Sequence, residues 1–108
     1  MERLQRNQVF LKQLRKKKDQ LRALKKANPD QVKLFADCAK NIVEGNIRPS
    51  ETRLRKLKKL KTGIRLLAQK SVPLKKKKKI LIQKGGVIGS ILVPIISAVA
   101  GLVMDKVL

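Results

Sequence analysis

Five consecutive lysines, Lys75 to Lys79, are the first residues of this chain whose type and spacing can do chemistry. Adjacent ammonium groups repel one another. A phosphate backbone relieves that repulsion and releases its condensed counterions, with a log–log salt slope of about −0.9 per phosphate neutralised on duplex DNA. Lys84 extends the run, and two other groups share its character. One is Arg15, Lys16, Lys17 and Lys18; the other is Arg53, Arg55, Lys56, Lys58, Lys59, Lys61 and Arg65. All are candidate nucleic-acid contacts. Lysines outnumber arginines twenty to eight. Lysine is a hydrated point charge, whereas arginine is the better bidentate reader of guanine edges. The binding expected is therefore directed at the backbone and indifferent to sequence. With two Phe and no Tyr or Trp, little is available to stack on unpaired bases, which argues against an RNA- or single-strand-reading module.

The whole composition agrees. The 108 residues carry 28 Lys+Arg against 7 Asp+Glu, a formal net charge of +21, where solubility alone asks for about 2–8 in a small domain. The charge is held in two blocks, net +8 over residues 2–26 and net +14 over 48–84. Residues 27–47 are near neutral and residues 85–108 carry one charge of each sign. Such a field calls for a polyanionic partner: nucleic acid, an anionic lipid surface, or an acidic protein.

Catalytic chemistry finds no foothold. There is no His, the commonest general base. The single cysteine, Cys38, falls in an apolar helical pattern with Leu34, Phe35, Ala39 and Ile42, as a buried structural thiol does. One cysteine forms neither an intrachain disulfide nor a CxxC-type zinc site. The acids are scattered without metal-loop or paired-carboxylate spacing, and Gly85-Gly86 is a pair rather than a phosphate-cradling loop. No enzyme activity, metal or cofactor is expected. The N-terminus has no secretory-type apolar core, so the basic region is expected to face cytosol, nucleus or a virion interior.

The elements that must position the cations read as all-α. Leu4, Leu11, Leu14, Leu21 and Leu24 make one stripe of a helix over about 2–26, interrupted by the run from Arg15 to Lys18. Asn28, Pro29 and Gln31 form an N-terminal capping box, with Asp30 in the first turn and Gly45 as the stop, giving a helix over about 29–44. Ser50 caps a third helix over about 50–69, with Leu54, Leu57, Leu60, Ile64 and Leu67 on one face and Gly63 as a bend. These predict a small three-helix basic region over 1–70, with the helix over 29–44 central. Residues 71–84 are expected as an extended, solvated lysine-rich strap. A thin core predicts weak stability, helped by an oligomer or by binding.

Residues 85–104, GGVIGSILVPIISAVAGLVM, carry no charge, and about 20 apolar residues suffice to span a bilayer. The segment 85–108 is expected to be an apolar C-terminal helix that contacts a membrane or a partner protein. Val87, Ile88, Ile91, Leu92, Val93, Ile95, Ile96, Val99, Leu102 and Val103 are its contact residues. In a membrane, the preceding lysines would leave the N-terminus cytoplasmic, with Pro94 as a kink.

The stretch KKKKKILIQKGGVIGSILVPIISAVAGLV, Lys75 to Val103, resembles the precursor of adenovirus core protein X, also called mu, and its relatives in adenovirus-like mobile elements (adintoviruses and Mavericks/Polintons). Those proteins join a basic region, a Gly-Gly and an Ile/Leu/Pro-rich tail. The resemblance implies a virion core protein that condenses double-stranded DNA. The chain is then expected to be non-enzymatic, to act in the virion or host nucleus, and to contact a capsid partner or a membrane through its apolar tail. The resemblance also implies processing by a viral cysteine protease after Gly86, with Gly85 preceding the cut. Gln83 stands where that protease takes Met, Ile or Leu, and the run is lysine-rich where the adenoviral peptide is arginine-rich. The runner-up is a tail-anchored membrane protein whose basic domain lies on anionic lipid.

Overall fold

Asn28 shows most directly why this chain is helical where it is. In the computed structural model, its Oδ1 accepts the Gln31 amide at 2.9 Å while Gln31 Oε1 accepts the Asn28 amide at 2.9 Å. The two side chains satisfy two of the donors that every helix start leaves orphaned. With Pro29 in the first turn, this starts α4 (Pro29–Val43). Its other end is a Schellman stop: Gly45 N donates to Ile42 O at 3.1 Å and Asn46 N to Asn41 O at 2.8 Å, with Gly45 at φ 79°. The expected helix over 29–44 is thus found with both of its signals in use.

The structure describes residues 2–107, and side chains over 3–83 and 85–98. Mostly helical, it has no strand among the described residues, so the all-α expectation holds. The first expected helix is divided into α1 (Glu2–Arg6), α2 (Gln8–Leu14) and α3 (Lys17–Lys25). Asn7 makes the first break by turning its buried side chain onto Arg3 O at 2.8 Å and Asp30 Oδ2 at 2.8 Å, a side-chain competitor to the helical ladder. The second falls in the basic run, where Lys16 is extended (φ −87°, ψ 115°), and Gln20 Nε2 closes it by donating to Leu14 O at 2.9 Å. The third expected helix is α5 (Glu51–Lys59) and α6 (Lys61–Ala68). Ser50 Oγ caps α5 by accepting the Arg53 amide at 3.4 Å. The break is at Leu60 (φ −109°, ψ 20°) rather than at Gly63.

The largest departure is α7 (Leu74–Val107). The extended strap expected over 71–84 is helical from Leu74, so the lysine run is wound rather than stretched. The physical reason is amphipathicity. Lys77, Ile80 and Leu81 share the inward face, with Lys77 only 6% exposed. Its four-carbon stem packs as an apolar group would. Lys78 Nζ donates to Ala27 O at 2.9 Å, a cation set beside the C-terminal end of α3, where it is favoured.

At Gly85 and Gly86 (φ 70° and 81°) the helix turns by 99° between Leu74–Gln83 and Gly85–Ala98. Left-handed backbone of this kind is open to glycine and costly for other residues. The turn folds the apolar limb back onto α3 and α4. Ile88, Leu92, Val93, Ile95 and Ile96 then join Leu14, Leu24, Phe35 and Leu67 in one buried core. The expectation of a three-helix region with appendages is corrected accordingly. Short, Lys-rich helices with narrow leucine stripes bury too little by themselves, and the apolar limb supplies the missing surface. The Cα radius of gyration is 12.8 Å, matching the ~13 Å of a compact chain of this length. Among the described residues no single helix is long and apolar enough to cross a membrane; the bent pair of α7 limbs passes on length and composition together.

Candidate nucleic-acid interface

The fold places the cations in three groups. The N-terminal group sits at the junction of α2 and α3, where Arg15, Lys16, Lys17 and Lys18 are all exposed. The middle group lies along α5 and α6. Arg53, Arg55, Lys56, Lys58, Lys59, Lys61 and Arg65 are exposed there, while Leu57, Ile64 and Leu67 turn into the core. The third lies on the first limb of α7, where Lys75, Lys76 and Lys79 are exposed, Lys78 is half-buried and Lys77 is buried. The side chain of Lys84 lies outside the described residues. Lys77 and Lys78 thus serve the fold, and the remaining described candidates face solvent.

Folding brings two of these groups together. A groove of about 1010 Å³ runs between α5–α6 and α7. Lys58, Lys59 and Lys61 line it from one element pair, and Lys75, Lys76 and Lys79 from the other. Its floor is apolar: Leu60, Leu66, Ile80, Val87 and Ile88. None of the described residues lining it is acidic. Sequence reasoning named all six lysines but not their convergence, which depends on the strap being a helix. The signal for that was present. Leu74, Lys77 and Leu81 recur at spacings of three and four, on one helical face.

The acids are held elsewhere. Asp30 is ringed by donors: Asn7 Nδ2 at 2.8 Å, Arg3 Nε at 3.0 Å and Arg6 Nη2 at 3.0 Å. The Arg6 guanidinium, then Asn7, then Arg3 hold its carboxyl well below the usual carboxylate range. Arg3 also pairs with Asp37. This cluster ties α1 to α4.

Cys38 is buried, 5% exposed. Burial, helped by the charge of Asp37, pushes its thiol up to about 12. It is therefore a protonated thiol at neutral pH, and the thiolate is the reactive form. The expectation of a buried cysteine in an apolar face is met. Among the described residues, no group of three or more His, Cys, Asp or Glu converges as a metal site.

The residues expected to meet a membrane or partner are divided. Ile88, Leu92, Val93, Ile95 and Ile96 are buried in the chain's own core, Ile91 is half-buried and Val87 is 40% exposed. Val99, Leu102 and Val103 lie outside the described side chains. Gly85 is exposed, while Gly86, the residue before the cut that the resemblance implies, is buried. No protein-family model, curated protein or solved structure matches the chain.

Proposed function

We propose that this protein binds double-stranded nucleic acid without sequence preference and condenses it, as a core protein of a virion or virus-derived element would. The observation that carries the reading is the exposure of the cations. Apart from Lys77 and Lys78, the described lysines and arginines of all three groups face solvent, on a chain of net charge +21. Phosphates spaced along a duplex neutralise such a surface from several sides at once, and counterion release drives the association. Lysines outnumber arginines twenty to eight, and the two phenylalanines, Phe10 and Phe35, pack edge to face in the core at 6.3 Å, which leaves little for base readout.

The burial of Ile88, Leu92, Val93, Ile95 and Ile96 favours this reading over a tail anchor, because an anchor would have to give that core surface to lipid. Binding to two random-sequence duplexes of unrelated base composition tests it. Equal affinities and compaction of long DNA at charge neutralisation are expected. A strong preference for one sequence, or no binding at low salt, would refute it.

A further inference from the structure

The groove between α5–α6 and α7 has a feature that phosphate binding leaves unused. Its cations stand over an apolar floor, on which Val87 is 40% exposed. An adjoining cleft of about 410 Å³ shares Lys59, Leu60 and Val87 and adds Ile91. The two clefts thus adjoin along Leu60 and Val87, with lysines lining both. A phosphate backbone offers no apolar surface to such a floor. A planar bilayer meets the lysine rims before it reaches the floor. A single-headed amphiphile brings one negative charge, where six ammonium groups ask for several.

We propose that this groove receives an acidic amphipathic helix from a partner protein. Such a helix carries an apolar stripe at i, i+3, i+4 and i+7, with carboxylates on either flank. The stripe covers the floor, and the flanks meet Lys58 and Lys61 on one side and Lys75 and Lys79 on the other. The first limb of α7, Leu74–Gln83, rises about 15 Å at 1.5 Å per residue, so the groove seats two to three turns of the guest. Complementary charge steers the encounter, and the apolar stripe discriminates between equally charged partners. The same lysines then cannot also hold phosphate, and an acidic partner competes with nucleic acid for this face of the protein.

The test uses the full chain and a fluorescent synthetic helix of about 15 residues with a leucine stripe and glutamate flanks. A scrambled peptide of the same composition is the control. The amphipathic peptide is expected to bind at least about tenfold more tightly than the scrambled one. Val87→Gln, at an exposed floor position, should remove most of that difference without altering helix content by circular dichroism. Equal binding of the two peptides to the unmodified chain would overturn the proposal, since charge alone would then account for it. So would failure of either peptide to bind while phosphatidylserine vesicles bind in a Val87-dependent way, because the occupant would then be lipid. Duplex DNA is titrated in parallel, and its failure to bind would count against nucleic-acid binding and leave the groove's peptide preference standing.

Discussion

Leu24 lies directly over Gly86: a Cβ added to Gly86 would stand 3.2 Å from Leu24 Cδ1. Leu24 is 1% exposed, and Gly86 holds φ at 81°. The turn of α7 and its seat against α3 thus meet at one residue. Gly85 shares the left-handed backbone but faces open space. Gly85→Ala should therefore cost about 1–2 kcal/mol, the backbone cost alone. Gly86→Ala should cost more, because the methyl must also displace Leu24. Urea unfolding of the two variants gives the order, and equal losses would show that the contact with Leu24 is slack.

The apolar limb is structural, so removing it should do more than remove a tail. A chain ending at Gly86 lacks Ile88, Leu92, Val93, Ile95 and Ile96, all buried. It should lose its cooperative thermal transition and expose hydrophobic surface to a dye such as ANS. Leu92→Ala, at a fully buried position, should destabilise the full chain by about 2–5 kcal/mol. A truncated chain that melts as sharply as the full one would show that the core does not need the limb.

Acid should loosen the junction of α1 with α4. The Asp30 carboxyl is held below its ordinary range by Arg6, Asn7 and Arg3. A group whose folded pKa is depressed contributes stability above its unfolded value, about 3.9. That contribution is lost as pH falls through the folded value. Stability should therefore decline from about pH 5 downward in the unmodified chain, and less steeply in Asp30→Asn. Parallel acid profiles for the two would contradict the pairing.

Cys38 should resist modification in the folded protein. Its thiol is buried and pushed up to about 12, so an aromatic disulfide reagent at neutral pH should react only as fast as the chain opens. Denaturant should restore the rate of a free cysteine. Immediate reaction of the native chain would place Cys38 at the surface instead.

How much of this was legible in the sequence differs by element. The boundaries of α4 were, because Asn28, Gln31 and Gly45 act through local chemistry that is the same in any fold. Cys38 was legible from its apolar neighbours. The lysine run is less legible, because five adjacent charges read as a solvated strap whereas the chain winds them into a helix. Lys77 can lie on the inner face because its stem, rather than its charge, does the packing. The convergence of Lys58, Lys59 and Lys61 with Lys75, Lys76 and Lys79 depends on the run being wound as a helix beside α5 and α6, and the seat of the limb that follows depends on the reversal at Gly85-Gly86. A Gly-Gly pair reads equally as a turn, a linker or a cleavage site until something is seen to pack against it. Here that something is Leu24, more than sixty residues away, and no local pattern announces it.

If the exposed lysines hold phosphates, DNA binding must weaken steeply as salt rises. Affinity of the full chain for random-sequence duplex should be measured between about 50 and 400 mM salt, beside a Lys75→Gln, Lys76→Gln, Lys79→Gln variant. All three positions are exposed, so the variant should keep its fold. A linear log–log plot with a steep negative slope is predicted, shallower in the variant by up to about 2.7, or about 0.9 per lost phosphate contact. A flat slope, or the same slope in both proteins, would mean that Lys75, Lys76 and Lys79 hold no phosphate.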